Sequence, residues 1–504
     1  MSLIQPSWAP RDHYGAALAV VAFALLALSF LGADPPTEPP WLMAKEELIE
    51  FVVEGPAKAH EARNWALFGE WHRNPVDNYQ FWRIQSPLWV YPLAGAFRWF
   101  GTGYATLQAF AVGFALVGMI GLWRLLRDVA PGPLGVAAMW LYGTSLLVTL
   151  LSRSGMTEVV LNAAAVWMMW TLVRGRNHPG YLVASQIIFA LAFFTKQGII
   201  YLFPLLVVAN VAAFLAWRRE ERFTLGRWIP VATAVVIAAF TTVYVVQPEY
   251  LRTVGWNTTH MVTGGGTGSA RSVGLLERIS VRRFGLAMWR FLPFVGLFSL
   301  PALGFMGLRA YRDRDDRSWV LAGWGASAWF AVLLLREWTL RHGSILVFPT
   351  LVLGAAAAAS LLQGTRLPLR LRQGFVVVVV ACGLASSIYE QGRRLSDARY
   401  TYDRFVEQAE AHIGQEAPVA IGRFAMPFLL GSRFDLFYVK ESFNRTARAV
   451  RALAPTHFVL LKPRDDVEVQ LRRMRLKSIV GDCPVQMRVW EMPMRLCVRD
   501  TPSN

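Results

Sequence analysis

The sequence predicts an all-α polytopic membrane protein with a small C-terminal α/β soluble domain, and three observations carry that prediction. Hydrophobic types make up 54% of the 504 residues and charged types only 17%, and mean hydropathy is +0.35. That balance is too apolar for a soluble domain of this size. Apolar stretches long enough to cross about 30 Å of hydrocarbon recur from Ala16 to Ile388, and each must be helical because lipid offers the backbone no hydrogen-bond partner. From about residue 393 to 504 the chain turns to ordinary polarity, with short β-type runs at 457–461 and 485–491. The division is therefore a membrane module, 1–392, and an α/β domain, 393–504.

Taken in order, spans are expected at roughly 14–32, 103–123, 134–151, 158–173, 181–194, 198–217, 229–246, 286–308, 319–335, 344–363 and 375–390, about eleven in all. The first resembles a signal-peptide core, but Gly32-Ala33-Asp34 is a weak cleavage signal and ten further spans follow, so it reads as a retained helix. The net charge of +17 is judged by where the arginines fall, and they fall in loops. Arg124/Arg127, Arg174/Arg176, Arg218/Arg219/Arg222/Arg227, Arg309/Arg312/Arg314/Arg317 and Arg366/Arg370/Arg372 lie on one side, the pattern of cytoplasmic loops rather than of a nucleic-acid binder. The N-terminus is then inside. An odd number of spans puts the C-terminal domain outside, in the periplasm or an equivalent lumen. The apolar segment 86–100 would reverse every later loop if it crossed. It is read as an interfacial or re-entrant helix, anchored by Trp82, Trp89, Trp99 and Arg98.

The outer loops collect the chemistry. The first, about 34–102, is too long for a connector and too rich in Trp and Phe for disorder, and it carries Glu54, Arg63 and Asp77. The second holds Arg153 and Glu158, the third is Thr195-Lys196-Gln197-Gly198, and the fourth runs from Arg336 to His342. Lys196 stands out in a chain with six lysines against 45 arginines. Each charge taken singly reads first as a snorkelling anchor at a span end. Together, carboxylates, cations and a histidine on one face suit a site that binds phosphate and moves a proton.

These residues resemble the GT-C glycosyltransferases that use polyprenyl-phosphate sugars, in the group of protein O-mannosyltransferases and aminoarabinose transferases. Residues 54–64, Glu-Gly-Pro-Ala-Lys-Ala-His-Glu-Ala-Arg-Asn, followed by Phe68-Gly69-Glu70-Trp71, look like that family's first-loop motif. Ser86-Pro87-Leu88 with Phe100-Gly101, Ser152-Arg153 to Glu158, Thr195-Lys196-Gln197-Gly198, and Arg341-His342 with Pro349 are similar to its later motifs, in the same order. Two positions depart. The family's first acidic pair is commonly Asp-Glu, where this chain has Val53-Glu54, and its Arg-Tyr is Arg341-His342 here.

The resemblance implies a GT-C-like fold and a hexosyl or pentosyl transferase that inverts at the anomeric carbon in one displacement. The implied partners are a polyprenyl-phosphate-linked sugar donor and a lipid, glycan or protein acceptor, with no nucleic acid, at a bacterial inner membrane facing the cell envelope. Glu54 is the expected catalytic base and Glu158 its partner. Lys196, Arg341 and His342, with Arg153 and Arg63 as lesser candidates, would neutralise the leaving phosphate. No cofactor is certain. A divalent metal between Glu54 and Glu158 would be compatible, but no ligand spacing requires one, and His60 and His72 read as surface residues.

Several chemistries have no foothold in the sequence. There is no P-loop, no dinucleotide-binding glycine pattern and no Gly-x-Ser-x-Gly turn. Gly264-Gly265-Gly266-Thr267-Gly268 follows no strand and opens no helix, so it reads as a flexible outer loop. The rival reading is a non-enzymatic binder or transporter of lipid-linked sugar or anionic lipid. Val53 supports it, while the lack of an internal repeat counts against a transporter. Cys483 and Cys497 flank the run 485–491 and could meet across a hairpin as a disulfide in an oxidising compartment, whereas Cys382 reads as a packing residue.

Overall fold

The structure, a computed structural model, describes residues 8–34, 45–71, 83, 86–175, 178–219, 233, 236, 292–313, 316–334, 340–363, 368–396, 398–414, 418–421, 429–438, 454–461, 480–489 and 492–500. By contact the chain divides into two compact units. One comprises Met1–Leu26, Gly113–Leu151 and Thr157–Arg393; the other comprises Ala27–Val112, Ser152–Met156 and Arg394–Asn504. The sequence-based division keeps the long loop 33–102 with the membrane module, whereas by contact that loop groups with the tail.

Apolar runs make the described helices: α1 (Pro10–Leu28), α2 (Lys45–Phe68), α3 (Pro87–Phe100), α4 (Tyr104–Val129), α5 (Gly132–Gly143), α6 (Leu146–Arg153), α7 (Glu158–Gly175), α8 (Pro179–Phe193), α9 (Phe203–Arg219), α10 (Ser299–Asp313), α11 (Asp316–Leu334), α12 (Val347–Gln363), α13 (Leu369–Ser396) and α14 (Thr401–His412). Pro87 and Pro179 open their helices where a missing N–H costs nothing. Among the described residues, Pro10–Leu28, Tyr104–Val129, His342–Gln363 and Leu369–Arg393 are long and apolar enough to cross a membrane. The pair α5 and α6 makes a fifth if counted as one bent span. Of the expected span 229–246 only residues 233 and 236 are described, and the start of that at 286–308 lies outside the described residues. Segment 86–100 forms α3, and 14 residues reach about 21 Å at 1.5 Å per residue, short of the hydrocarbon thickness.

Within the first unit α7 packs along α8, and α12 contacts α5, α10 and α11. The 46° bend between α5 and α6 has a local cause, since Thr144 Oγ1 donates back to Trp140 O at 2.9 Å. Gln391 Nε2 donates to Thr149 Oγ1 at 2.6 Å and to Thr144 O at 3.3 Å, so a polar side chain serves the interrupted backbone.

In the second unit α2 packs on α3. Trp65, Trp71 and Tyr91 form an aromatic cluster with ring centroids 5.5 and 4.9 Å apart, and Arg98 lies over the Trp65 ring. Trp99 is 83% exposed, as an interfacial anchor would be, but Trp89 is fully buried against Phe110. The tail supplies β1 (Pro418–Ile421), β2 (Asp435–Tyr438), β3 (His457–Leu461), β4 (Val485–Val489) and β5 (Met492–Val498). They form one sheet in the order β2-β1-β3-β5-β4, parallel at β1–β2 and β1–β3 and antiparallel at β3–β5 and β4–β5. Phe405 and Ala409 bury one face of α14, which packs on β4. A disulfide joins Cys483 to Cys497 across the β4–β5 hairpin.

Candidate functional site

Two glutamate–lysine pairs hold the expected carboxylates, one pair in each unit. In the second unit the helical period places Glu54 and Lys58 on one face of α2, four residues apart, with Lys58 Nζ 2.7 Å from Glu54 Oε1. Pro56 lies between them and removes the N–H that would bond the carbonyl of residue 52. Gly55 faces the backbone of Ser154 and Gly155 so closely that any Cβ would collide with it. Gly155 itself has φ +63°, with Leu107 filling the space where its side chain would stand. The Glu-Gly and Ser-Gly motifs therefore fit together through two residues that tolerate no side chain.

Further along α2 the buried polar side chains make hydrogen bonds within the second unit. His60 is buried, with Asn64 Nδ2 3.3 Å from its Nε2, which corrects the expectation that it is a surface residue; the apolar alanines of the same helix carry it inward. Glu61, also buried, accepts the backbone N–H of Arg83. Arg63 is fully buried and donates to Ser432 O at 2.6 Å, Phe434 O at 2.8 Å and Asn64 Oδ1 at 3.2 Å. Burial pushes its guanidinium down to about 9, opposed by nearby Asp435, so it remains a cation at neutral pH. These bonds make Arg63 a tie between α2 and the tail.

A second buried network surrounds Arg153. Arg153 Nη2 donates to Asp34 O at 3.1 Å. Gln108 Nε2 donates to Arg153 O at 2.7 Å and to Ala33 O at 2.9 Å. Asp34 caps α14, accepting Thr401 N–H at 2.9 Å and Thr401 Oγ1–H at 2.7 Å. Burial raises the Asp34 carboxyl from its ordinary value, and the Thr401 bonds pull it back. Asp34, Lys58, Glu61 and Gln108 were not singled out by sequence. Lys58 becomes the i+4 partner of Glu54 only once the segment is known to be helical through Pro56, while the other three depend on contacts distant in the chain.

In the first unit Glu158 sits in the first turn of α7, where the helix dipole favours an anion. Lys196 precedes the 3₁₀ turn Gln197–Leu202, and its Nζ lies 2.9 Å from Glu158 Oε1. Thr157 Oγ1 is 3.4 Å from Glu158 Oε2. Arg341 and His342 lie in the 3₁₀ helix Leu340–Leu346, with His342 half-buried. Asp77, His72, Arg336 and the glycine run 264–268 lie outside the described residues. Among the described residues no group of three or more His, Cys, Asp or Glu side chains could hold a metal. Each of the two glutamates pairs with a lysine.

The two pairs are exposed in opposite senses. In the first-loop pair the carboxylate is the more open member, Glu54 at 12% against 2% for Lys58. In the other pair the ammonium is, Lys196 at 15% against 2% for Glu158.

Comparison with known proteins agrees with the resemblance drawn from the motifs. Residues 85–246 match the Dolichyl-phosphate-mannose-protein mannosyltransferase family. The fold is that of ArnT from Cupriavidus metallidurans, in a crystal structure bound to undecaprenyl phosphate, with TM-score 0.56 and 15% identity over 95% of this chain and 97% of that one. ArnT in the apo state gives TM-score 0.54 at 16% identity, covering 96% and 98%. The archaeal oligosaccharyltransferase AglB from Archaeoglobus fulgidus, in complex with an inhibitory peptide and a dolichol-phosphate, gives 0.52 at 12%, covering 90% and 70%. No curated protein matches in sequence. The chain is an integral membrane protein with a GT-C-like fold.

Proposed function

We propose that this protein is a glycosyltransferase that moves a sugar from a polyprenyl-phosphate carrier to an acceptor hydroxyl on the outer face of a bacterial inner membrane. The opposite exposure of the two glutamate–lysine pairs carries the reading. The open carboxylate of Glu54 takes the proton of the acceptor hydroxyl as its oxygen bonds to the anomeric carbon, and Lys58 fixes the carboxylate's orientation. The bond from that carbon to the phosphate oxygen breaks with inversion, and its electron pair leaves on the lipid phosphate. The open ammonium of Lys196, with Arg341 and His342, meets that charge, while Glu158 holds Lys196 in place. Arg63 and Arg153, committed to carbonyls, position the first-loop helix and its neighbours rather than contact the donor. The structural neighbours support the carrier, since the ArnT structure is bound to undecaprenyl phosphate and the AglB structure is in complex with a dolichol-phosphate.

The outward placement rests on the arginine-rich loops of the opposite face and on the tail disulfide, a bond that suits an oxidising compartment. The unit that joins the first loop to the tail, 393–504 included, would then present the acceptor. The deciding experiment incubates purified protein with polyprenyl-phosphate sugar. Release of free polyprenyl phosphate only when an acceptor is added supports transfer. Tight donor binding with no release under any acceptor would favour the binder reading, for which Val53 in place of the family's first acidic residue is the motivating observation.

A further inference from the structure

We propose that the first unit carries a site for an anionic phospholipid, with one acyl chain in an apolar cavity and the phosphate held by Arg372 and Arg309. The cavity, of about 310 Å³, lies among α5, α10, α12 and α13 and is lined almost wholly by carbon. That size falls within the range of small-ligand sites. Along α12 it is lined from Leu351 to Leu361, ten residues or about 15 Å at 1.5 Å each, an elongated shape suited to a hydrocarbon chain. Phe298 and Phe375 meet edge to face at 5.5 Å, and both, with Phe305, are more than a third exposed, so an acyl chain can enter from the bilayer.

Two arginines stand beside the Leu361 end of this cavity, just outside its apolar lining. Arg372 stands one turn before Phe375 and Val376 on α13, on the same face, and donates to the carbonyls of Leu361 and Leu362 at 2.9 Å each. It is 9% exposed, its Nε has no hydrogen-bond partner, and no carboxylate pairs with it among the described residues. Arg309, four residues after Phe305 on α10, donates to Ser360 Oγ and lies 3.6 Å from Asp313. A buried guanidinium with a spare donor beside an apolar cavity calls for an anion carried on a hydrocarbon chain. This end lies at the far end of α12 from His342, which separates the phosphate expected here from the one in the reaction proposed above.

The test uses full-length protein and native mass spectrometry, with dioleoyl phosphatidylglycerol and dioleoyl phosphatidylcholine as probes. Wild type should retain one phosphatidylglycerol with about tenfold preference over phosphatidylcholine, because the quaternary ammonium of choline offsets the phosphate charge and is repelled by the two guanidinium groups. Gly354→Leu should abolish retention without loss of fold, because Gly354 lines the cavity and open space faces its missing Cβ. Arg372→Gln should reduce retention to the phosphatidylcholine level, and Arg372→Lys should restore part of the preference. Equal binding of the two lipids by wild type, or full retention by a folded Gly354→Leu, would overturn the proposal. So would displacement of phosphatidylglycerol by undecaprenyl phosphate, which would assign the cavity to the carrier.

Discussion

The two glutamate–lysine pairs reach the same 2.7–2.9 Å contact by different routes. Glu54 and Lys58 are neighbours on one helix, so the helical period alone brings them together. Glu158 and Lys196 come from separate elements, a helix start and the residue before a 3₁₀ turn, and meet only when the first unit folds. The local pair buries its lysine and the long-range pair buries its glutamate. That difference is what the proposed division of labour, proton transfer at one pair and phosphate binding at the other, builds on.

That comparison breaks most visibly at Glu54. Glu54→Gln should slow transfer by about 10²- to 10⁴-fold while donor affinity stays near wild type, measured by single-turnover rate and by equilibrium binding of the polyprenyl-phosphate sugar. Near-normal transfer would remove Glu54 as base. Lys196→Ala should weaken donor binding about tenfold to a hundredfold in the same assay, the worth of one charge-assisted hydrogen bond, with turnover falling too. Unchanged affinity would reduce Lys196 to a partner of Glu158. Gly55→Ala should cost stability, about 1–3 kcal/mol, because the new methyl meets the backbone of Ser154 and Gly155. A melting temperature equal to wild type would mean that the two motifs do not pack as described.

The smallest effect concerns the tail alone. Burial lowers the imidazole of His457 from its ordinary value of 6.5. The unfolded chain then binds the proton more readily than the folded one, so stability present at neutral pH is lost as pH falls through about 6.5. His457→Gln should flatten that part of the pH–stability curve. An unchanged slope would place the titrating group elsewhere.

How much of this the sequence disclosed depends on the range of the interactions. Apolar runs locate α1, α4, α12 and α13 because a single segment must satisfy its own backbone in lipid. The tail's α/β character and the 483–497 bridge were likewise visible in alternating runs and turn residues. Glu54, Glu158 and Lys196 stood out as rare charges in an apolar chain, but their pairing did not. Reading Lys58 as the partner of Glu54 required knowing that the loop is helical there, through a proline. Arg63 looked like a phosphate ligand and His60 like a surface residue, since nothing nearby in sequence reveals that Ser432 and Phe434 cover the first or that both are buried. The joining of the first loop with the tail is a contact over hundreds of residues, for which periodicity carries no signal.

The central claim is that Lys196 is the accessible cation and Lys58 the buried one. A brief pulse of an amine-reactive ester on purified protein, followed by peptide mass spectrometry with and without undecaprenyl phosphate, tests it directly. The account predicts that Lys196 is labelled and becomes protected when the carrier is added, while Lys58 stays unlabelled in both samples. Labelling of Lys58 equal to that of Lys196, or labelling of Lys196 that the carrier does not change, would contradict it.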